Sequence, residues 1–175
     1  MAFGVLFSPV LYCRMTDADR LRQRIRVWLW LFIVGLAVSG LTAIPLRWEI
    51  DFLARLVGYG DSGLAHWVLR VRDGVGETDA RFPFLAYGTD WLAFGHLMIA
   101  VAFVGALRDP VRNVWVITFG MIACVVPWAL VFGPLRGIPF FWRLIDCSFG
   151  VVGIVPLWLC RRDAQTLERL EARPA

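Results

Sequence analysis

The chain has 175 residues, 59% of them apolar and 18% charged, and a net charge of +4. Soluble domains stand near half apolar and a quarter charged, so this balance points to a membrane protein. All 18 basic residues are Arg, which excludes Schiff-base chemistry because that needs a side-chain amine, and the arginines lie at loops and ends without interleaved aromatics, which argues against a nucleic-acid interface.

Residues 1–14, "MAFGVLFSPVLYCR", are apolar but too short to span a bilayer, and no basic residue precedes them as a signal peptide requires. The following "MTDADRLRQRIR" reads as a helix start, with Thr16 as N-cap and acidic residues in the first turn. Translation from Met15 is therefore one expectation.

The first predicted span is 27–46, "VWLWLFIVGLAVSGLTAIPL". Arg20, Arg22, Arg24 and Arg26 stand just ahead of it and place residues 1–26 in the cytoplasm by the positive-inside rule. Gly35 and Ser39, four apart, form a small-residue patch read as a packing feature.

Residues 47–88 are predicted to form an external loop, with five Arg balanced by six acidic residues. Two stretches have helical periodicity: Ile50, Leu53, Ala54 and Val57, then Leu64, Trp67, Val68 and Val71. Both read as amphipathic helices lying along the outer interface, with "GETDARFP" ending the second.

Three further spans are predicted at 91–107, 114–132 and 140–160, separated by "RDPVRN" and "GPLRGIP". In the first of these turns Asp109 and Pro110 read as an N-cap and first-turn pair. The tail, 161–175, reads as a cytoplasmic, solvated helix. The expected fold is thus all-α: a four-transmembrane-helix bundle with both ends cytoplasmic and a long extracytoplasmic loop containing amphipathic helices.

Ionisable residues inside spans are functional candidates by default. Asp90 sits at the outer mouth of the second span, where an N-cap role also explains it, and His96 lies about 9 Å deeper at 1.5 Å per residue. Arg143 and Asp146, three apart on the fourth span, fall in the same outer half and share one face, so each can offset the other's cost in hydrocarbon. Gly150 and Gly153 continue that stripe and admit a neighbouring backbone. In the loop, His66, Arg70 and Asp73 lie on one helix face. Convergence of His96, Arg143 and Asp146, with Asp90 and His66 above them, predicts a polar outer-leaflet site.

Such a site suits a small amphipathic molecule, quinone-like or lipid, or a proton relay through His96. The alternative is a non-enzymatic subunit or anchoring partner of a membrane complex, suited by small-residue faces and nine Trp. A b-type haem has less support, because His66 and His96 are the only histidines and Met98 and Met121 are poor substitutes. No metal ligand set is apparent. The four cysteines, Cys13, Cys124, Cys147 and Cys160, have neither CxxC nor zinc-like spacing, and the external loop has none, which excludes a disulfide-generating membrane enzyme.

"YGTDWLAFGH", "RDPVRN" and "GPLRGIPFFWRLIDCSFG" resemble a family of small bacterial four-span membrane proteins, over roughly residues 80–160. The resemblance implies a bacterial inner membrane and lends no activity, cofactor or partner other than the lipid bilayer. "VPWALVFGPL" is similar to the tryptophan-rich translocator proteins, but the match is short and those have five spans, so their ligand is not carried over.

Overall fold

A computed structural model describes residues 16–131 and 137–172. The described residues form six α-helices and one short 3-10 turn, with no strand: α1 Asp17–Ala43, α2 Leu46–Val57, α3 Gly63–Arg81, the 3-10 turn Pro83–Ala86, α4 Tyr87–Arg108, α5 Val114–Val131 and α6 Phe140–Glu171. The Met1-or-Met15 start and most of the turn after α5 lie outside these residues.

Thr16 caps α1 as its sequence predicts. Its Oγ1 accepts from the Asp19 N–H at 3.1 Å, and Asp19 Oδ2 accepts from the Thr16 N–H at 3.2 Å, closing a capping box. The Thr16 hydrogen bonds hold the Asp19 carboxyl below its ordinary pKa. Helix α1 therefore begins ten residues before the predicted span and runs without interruption into the apolar stretch. It stops at Ala43 and not at 46, because Pro45 has no N–H to continue the ladder and α2 starts anew beyond it.

The two periodic stretches of the loop are the helices α2 and α3. Their apolar faces meet each other: Ile50 and Ala54 of α2 and Val68 of α3 are buried, with Leu53, Val57, Leu69, Val71 and Val75 packed around them. The shared hairpin core covers the α2 stripe and Val68 and Val71 of the α3 stripe, while Leu64 stays exposed. What α2 leaves exposed is a second apolar ridge, Trp48, Phe52 and Leu56, four residues apart, with the Trp48 and Phe52 rings stacked at 5.6 Å. "GETDARFP" does not break α3 where predicted. The helix continues through Arg81 and ends only at the Phe82–Pro83 step.

Three helical segments are long and apolar enough to cross a membrane: α1, the stretch Pro83–Arg108 that contains α4, and α6. Only 22%, 22% and 17% of their most apolar windows are buried inside the protein, so the rest of the chain leaves most of that apolar surface uncovered. Helix α5 is apolar and shorter, 18 residues with Pro127 inside it.

Helix α1 packs between α4 and α6, and α5 packs on α6. The main core lies toward the arginine-rich end of the bundle, where Ile25, Leu29, Phe103, Ile117, Leu157 and Leu167 are fully buried. Toward the opposite end, where the loop helices sit, α5 and α6 meet backbone to side: a Cβ at Gly150 would overlap the Cys124 carbonyl, and one at Gly153 would stand 3.0 Å from Cys124 Sγ. The glycine stripe expected to admit a neighbour does so, and the neighbour is α5. The Gly35–Ser39 patch does not pack, since a Cβ at Gly35 meets nothing within 4 Å. The close approach on α1 is at Gly40, which faces α4.

The tail corrects its prediction most clearly. Helix α6 is continuous for 32 residues, and Asp163, Ala164 and Leu167 are buried beyond the predicted membrane boundary. The cause is legible in the spacing, for Leu157, Cys160, Ala164 and Leu167 extend one heptad-like stripe that lies along the early turns of α1.

Candidate functional site

His96 is half-buried on α4, on the side that meets α1: a Cβ at Gly40 would lie 3.0 Å from His96 Cβ. Its Nδ1 is 2.8 Å from the Leu92 carbonyl one turn earlier. A carbonyl only accepts, so Nδ1 carries the proton and donates, which leaves Nε2 as the acceptor of the neutral ring.

Arg143 Nε donates to the Ile138 carbonyl at 3.0 Å, in the turn that leads into α6. The paired arrangement expected of Arg143 and Asp146 is not seen: among the described residues no ion pair joins them. The guanidinium reaches back past the helix start toward the preceding turn, while the Asp146 side chain is exposed on the outside of α6. Because α1 lies between α4 and α6, helix packing does not set His96 beside Asp146.

Asp90 is exposed in the first turn of α4 and is not the N-cap. The helix begins at Tyr87, after Ala86, because the 3-10 turn runs directly into it. At that position its carboxylate faces the positive end of the helix dipole. His66 is exposed on α3, with Nε2 3.4 Å from Asp61 Oδ1. Asp73 is held by its neighbour Arg72 at 2.9 Å. Asp109 is likewise the C-cap of α4; its Oδ1 accepts from the Arg112 N–H at 3.0 Å and shapes the turn before α5.

Two features escaped the sequence reading. The first is a clamp at the arginine-rich end, where Arg24 of α1 grips Asp163 of α6 with two hydrogen bonds, one from Nε at 2.6 Å. The Asp163 side chain is 2% exposed, and its hydrogen bonds raise the pKa of Arg24 above the usual guanidinium value. Arg22 and Glu171 make a second bridge between the same helices at 2.6 Å. Arg22 and Arg24 were read only as topology signals. The predicted membrane boundary hid that their partners lie on the other helix.

The second is an open cavity of about 490 Å³ at the loop end, lined by the Ile44–Arg47 junction, α3, the 3-10 turn and the start of α4. Its walls include Leu46, Val71, Val75, Phe82 and Leu85; its polar groups come from Arg47, Thr78, Asp79 and Thr89. Arg47 bridges two elements, reaching Asp51 of α2 at 3.5 Å and Asp79 of α3 at 3.4 Å. The Arg47–Asp51 spacing of four was readable, whereas Asp79 belongs to a helix folded back from far along the chain. Trp67 ties α3 to α6 through Trp142, ring centroids 6.3 Å apart.

Among the described residues no group of three or more His, Cys, Asp or Glu is placed to hold a metal ion, and Cys124, Cys147 and Cys160 are free thiols. In comparisons with known proteins, the chain matches no family model, no curated protein and no solved structure.

Proposed function

We propose that this is a four-span protein of a bacterial inner membrane that binds a small amphipathic molecule, quinone-like or lipid, at its extracytoplasmic end. The arginines before α1 and in the α4–α5 turn support cytoplasmic placement of that end and of both termini. Helix α5 serves as the remaining span, since 18 residues at about 1.5 Å each nearly match the hydrocarbon thickness. The exposed Trp48–Phe52–Leu56 ridge on α2 suits burial at the outer interface. The resemblance over residues 80–160 supports the bacterial setting.

The cavity of about 490 Å³ carries the reading. Ligand sites run at roughly 300–1,000 Å³, with apolar walls and a few placed polar groups. Here the apolar walls face an Arg–Asp pair and two threonine hydroxyls, which suits a head with hydrogen-bonding oxygens and a body of hydrocarbon. His96 stands on α4 and Arg143 and Asp146 on α6, with α1 packed against both helices; the loop-end cavity, which offers a lined volume, is preferred here as the site.

Mass spectrometry and absorbance of the gently purified protein test this directly. A stoichiometric quinone or lipid supports it, and a Soret band would transfer the reading to haem. Gly74 lines the cavity, and a Cβ there meets nothing within 4 Å. Gly74→Leu adds a side chain to the cavity lining at a position with room for its first carbon, and should shed the bound molecule while the protein still inserts. Equal retention by Gly74→Leu would dismiss the cavity as the site.

A second reading, membership of a membrane complex, rests on Asp146. Its carboxyl is exposed on a spanning helix, where insertion scales set the cost at about 2.5–3.5 kcal/mol near mid-membrane. A polar group on a neighbouring protein would relieve it. Copurification of a defined partner that Asp146→Leu releases is the expected sign.

A further inference from the structure

Three of the four arginines that precede the apolar run of α1 are answered by carboxylates. Arg20 meets Asp17 at 3.7 Å, Arg22 meets Asp19 at 3.8 Å and Glu171 at 2.6 Å, and Arg24 meets Asp163. Arg26 is different: among the described residues its guanidinium has no ion pair and no hydrogen bond, and the same holds for Arg108, the last residue of α4.

These two cations, from different helices, line one cavity of about 270 Å³ at the arginine-rich end. Leu107, Val111 and Leu167 supply its apolar side. Of the carboxylates around it, Glu171 is engaged by Arg22 and Asp109 accepts the Arg112 N–H; with Arg22, Arg26 and Arg108 against these two acids, the lining keeps a net positive charge. The end of α4 would ordinarily repel an anion through its last carbonyls. Asn113 counters this, for its Nδ2 donates to the Gly105 carbonyl at 3.1 Å and the Asp109 carbonyl at 2.9 Å.

The geometry points to a site for one phosphate group, from an anionic lipid head or from free phosphate, held between Arg26 and Arg108. Guanidinium forks match phosphate oxygens in two-pronged geometry, and basic pockets between spanning helices on the cytoplasmic side hold anionic headgroups. The volume admits a phosphate with several waters, each of which takes about 30 Å³. The site lies at the opposite end of the bundle from the proposed ligand cavity and stands independently of that reading.

The test uses the full-length protein with an equimolar mixture of dioleoyl phosphatidylglycerol and phosphatidylcholine, read by native mass spectrometry. The wild type should retain phosphatidylglycerol over phosphatidylcholine, and R26Q/R108Q should lower that preference about tenfold. R20Q/R169Q, with the same change in net charge, should leave it intact. R26K/R108K keeps the charge but loses the fork, and should fall between, which covers failure of R26Q/R108Q to insert. In a second arm without phosphatidylglycerol, inorganic phosphate that stabilises the wild type but not R26Q/R108Q assigns the site to free phosphate. Equal lipid preference in all variants together with no phosphate effect would overturn the proposal.

Discussion

The two ends of this bundle are built on opposite terms. At the arginine-rich end, α1, α4, α5 and α6 share one core, and cross-helix ion pairs fasten α1 to the extension of α6. At the loop end the long helices bury little besides Gly40, Ala93 and Cys147, and the polar and aromatic groups belong mostly to an added hairpin with its own small core. The first arrangement spends several of its charges on one another and leaves Arg26 and Arg108 over. The second leaves an arginine, a carboxylate and two hydroxyls around an open cavity.

The sharpest way to break this contrast is to truncate a buried and an exposed side chain on the same long helix, the second one nearer the loop end. Leu157→Ala removes a fully buried side chain and should cost about 2–5 kcal/mol by the cavity rule, seen as a large drop in thermal midpoint. Val152→Ala, on the same helix but 72% exposed, should change it little. Similar losses from the two would deny that the core is confined to one end. Gly150→Val should rival Leu157→Ala, because the new side chain has to displace the Cys124 backbone; unaltered unfolding would refute the α5–α6 approach.

A smaller effect should follow from the clamp. Asp163→Ala removes charge-assisted bonds of about 1.5–3 kcal/mol, discounted because Arg24 is half exposed and can turn to water. A double-mutant cycle with Arg24→Gln isolates the coupling, which should be positive and larger than that of the exposed Arg20–Asp17 pair.

The smallest effect concerns the first turn of α1. The Asp19 carboxyl titrates below its ordinary value because of Thr16. Its contribution is fully present above the unfolded pKa and is lost as pH falls through the lowered folded value. Protection of the Asp19 amide, taken relative to its intrinsic exchange rate at each pH, should fall on acidification through that range. Thr16→Ala should give the low protection at neutral pH and remove the acid dependence.

Much of the fold was legible because its signals are local. Composition announced the membrane, the Thr16–Asp19 spacing gave the helix start, and period-3.6 spacing located α2 and α3. The candidate site was less legible. Arg143 and Asp146 share a helix face by arithmetic, but the structure turns Arg143 toward the Ile138 carbonyl, a choice set by the helix start and not by spacing. His96 and Asp146 share a predicted depth, yet depth says nothing about which helix stands between them. Asp163 was overlooked because polar residues beyond a span read as solvated, although the stripe of Leu157, Cys160, Ala164 and Leu167 ran on past the boundary. Asp79 meets Arg47 only because the chain folds back on itself.

Helix α6 touches an aromatic partner on the hairpin through Trp142 and an arginine of α1 through Glu171. At about 1.5 Å per residue, its 32 residues make a rod considerably longer than the lipid is thick. Such a rod lets a single helix tie the hairpin at one end of the bundle to the start of α1 at the other.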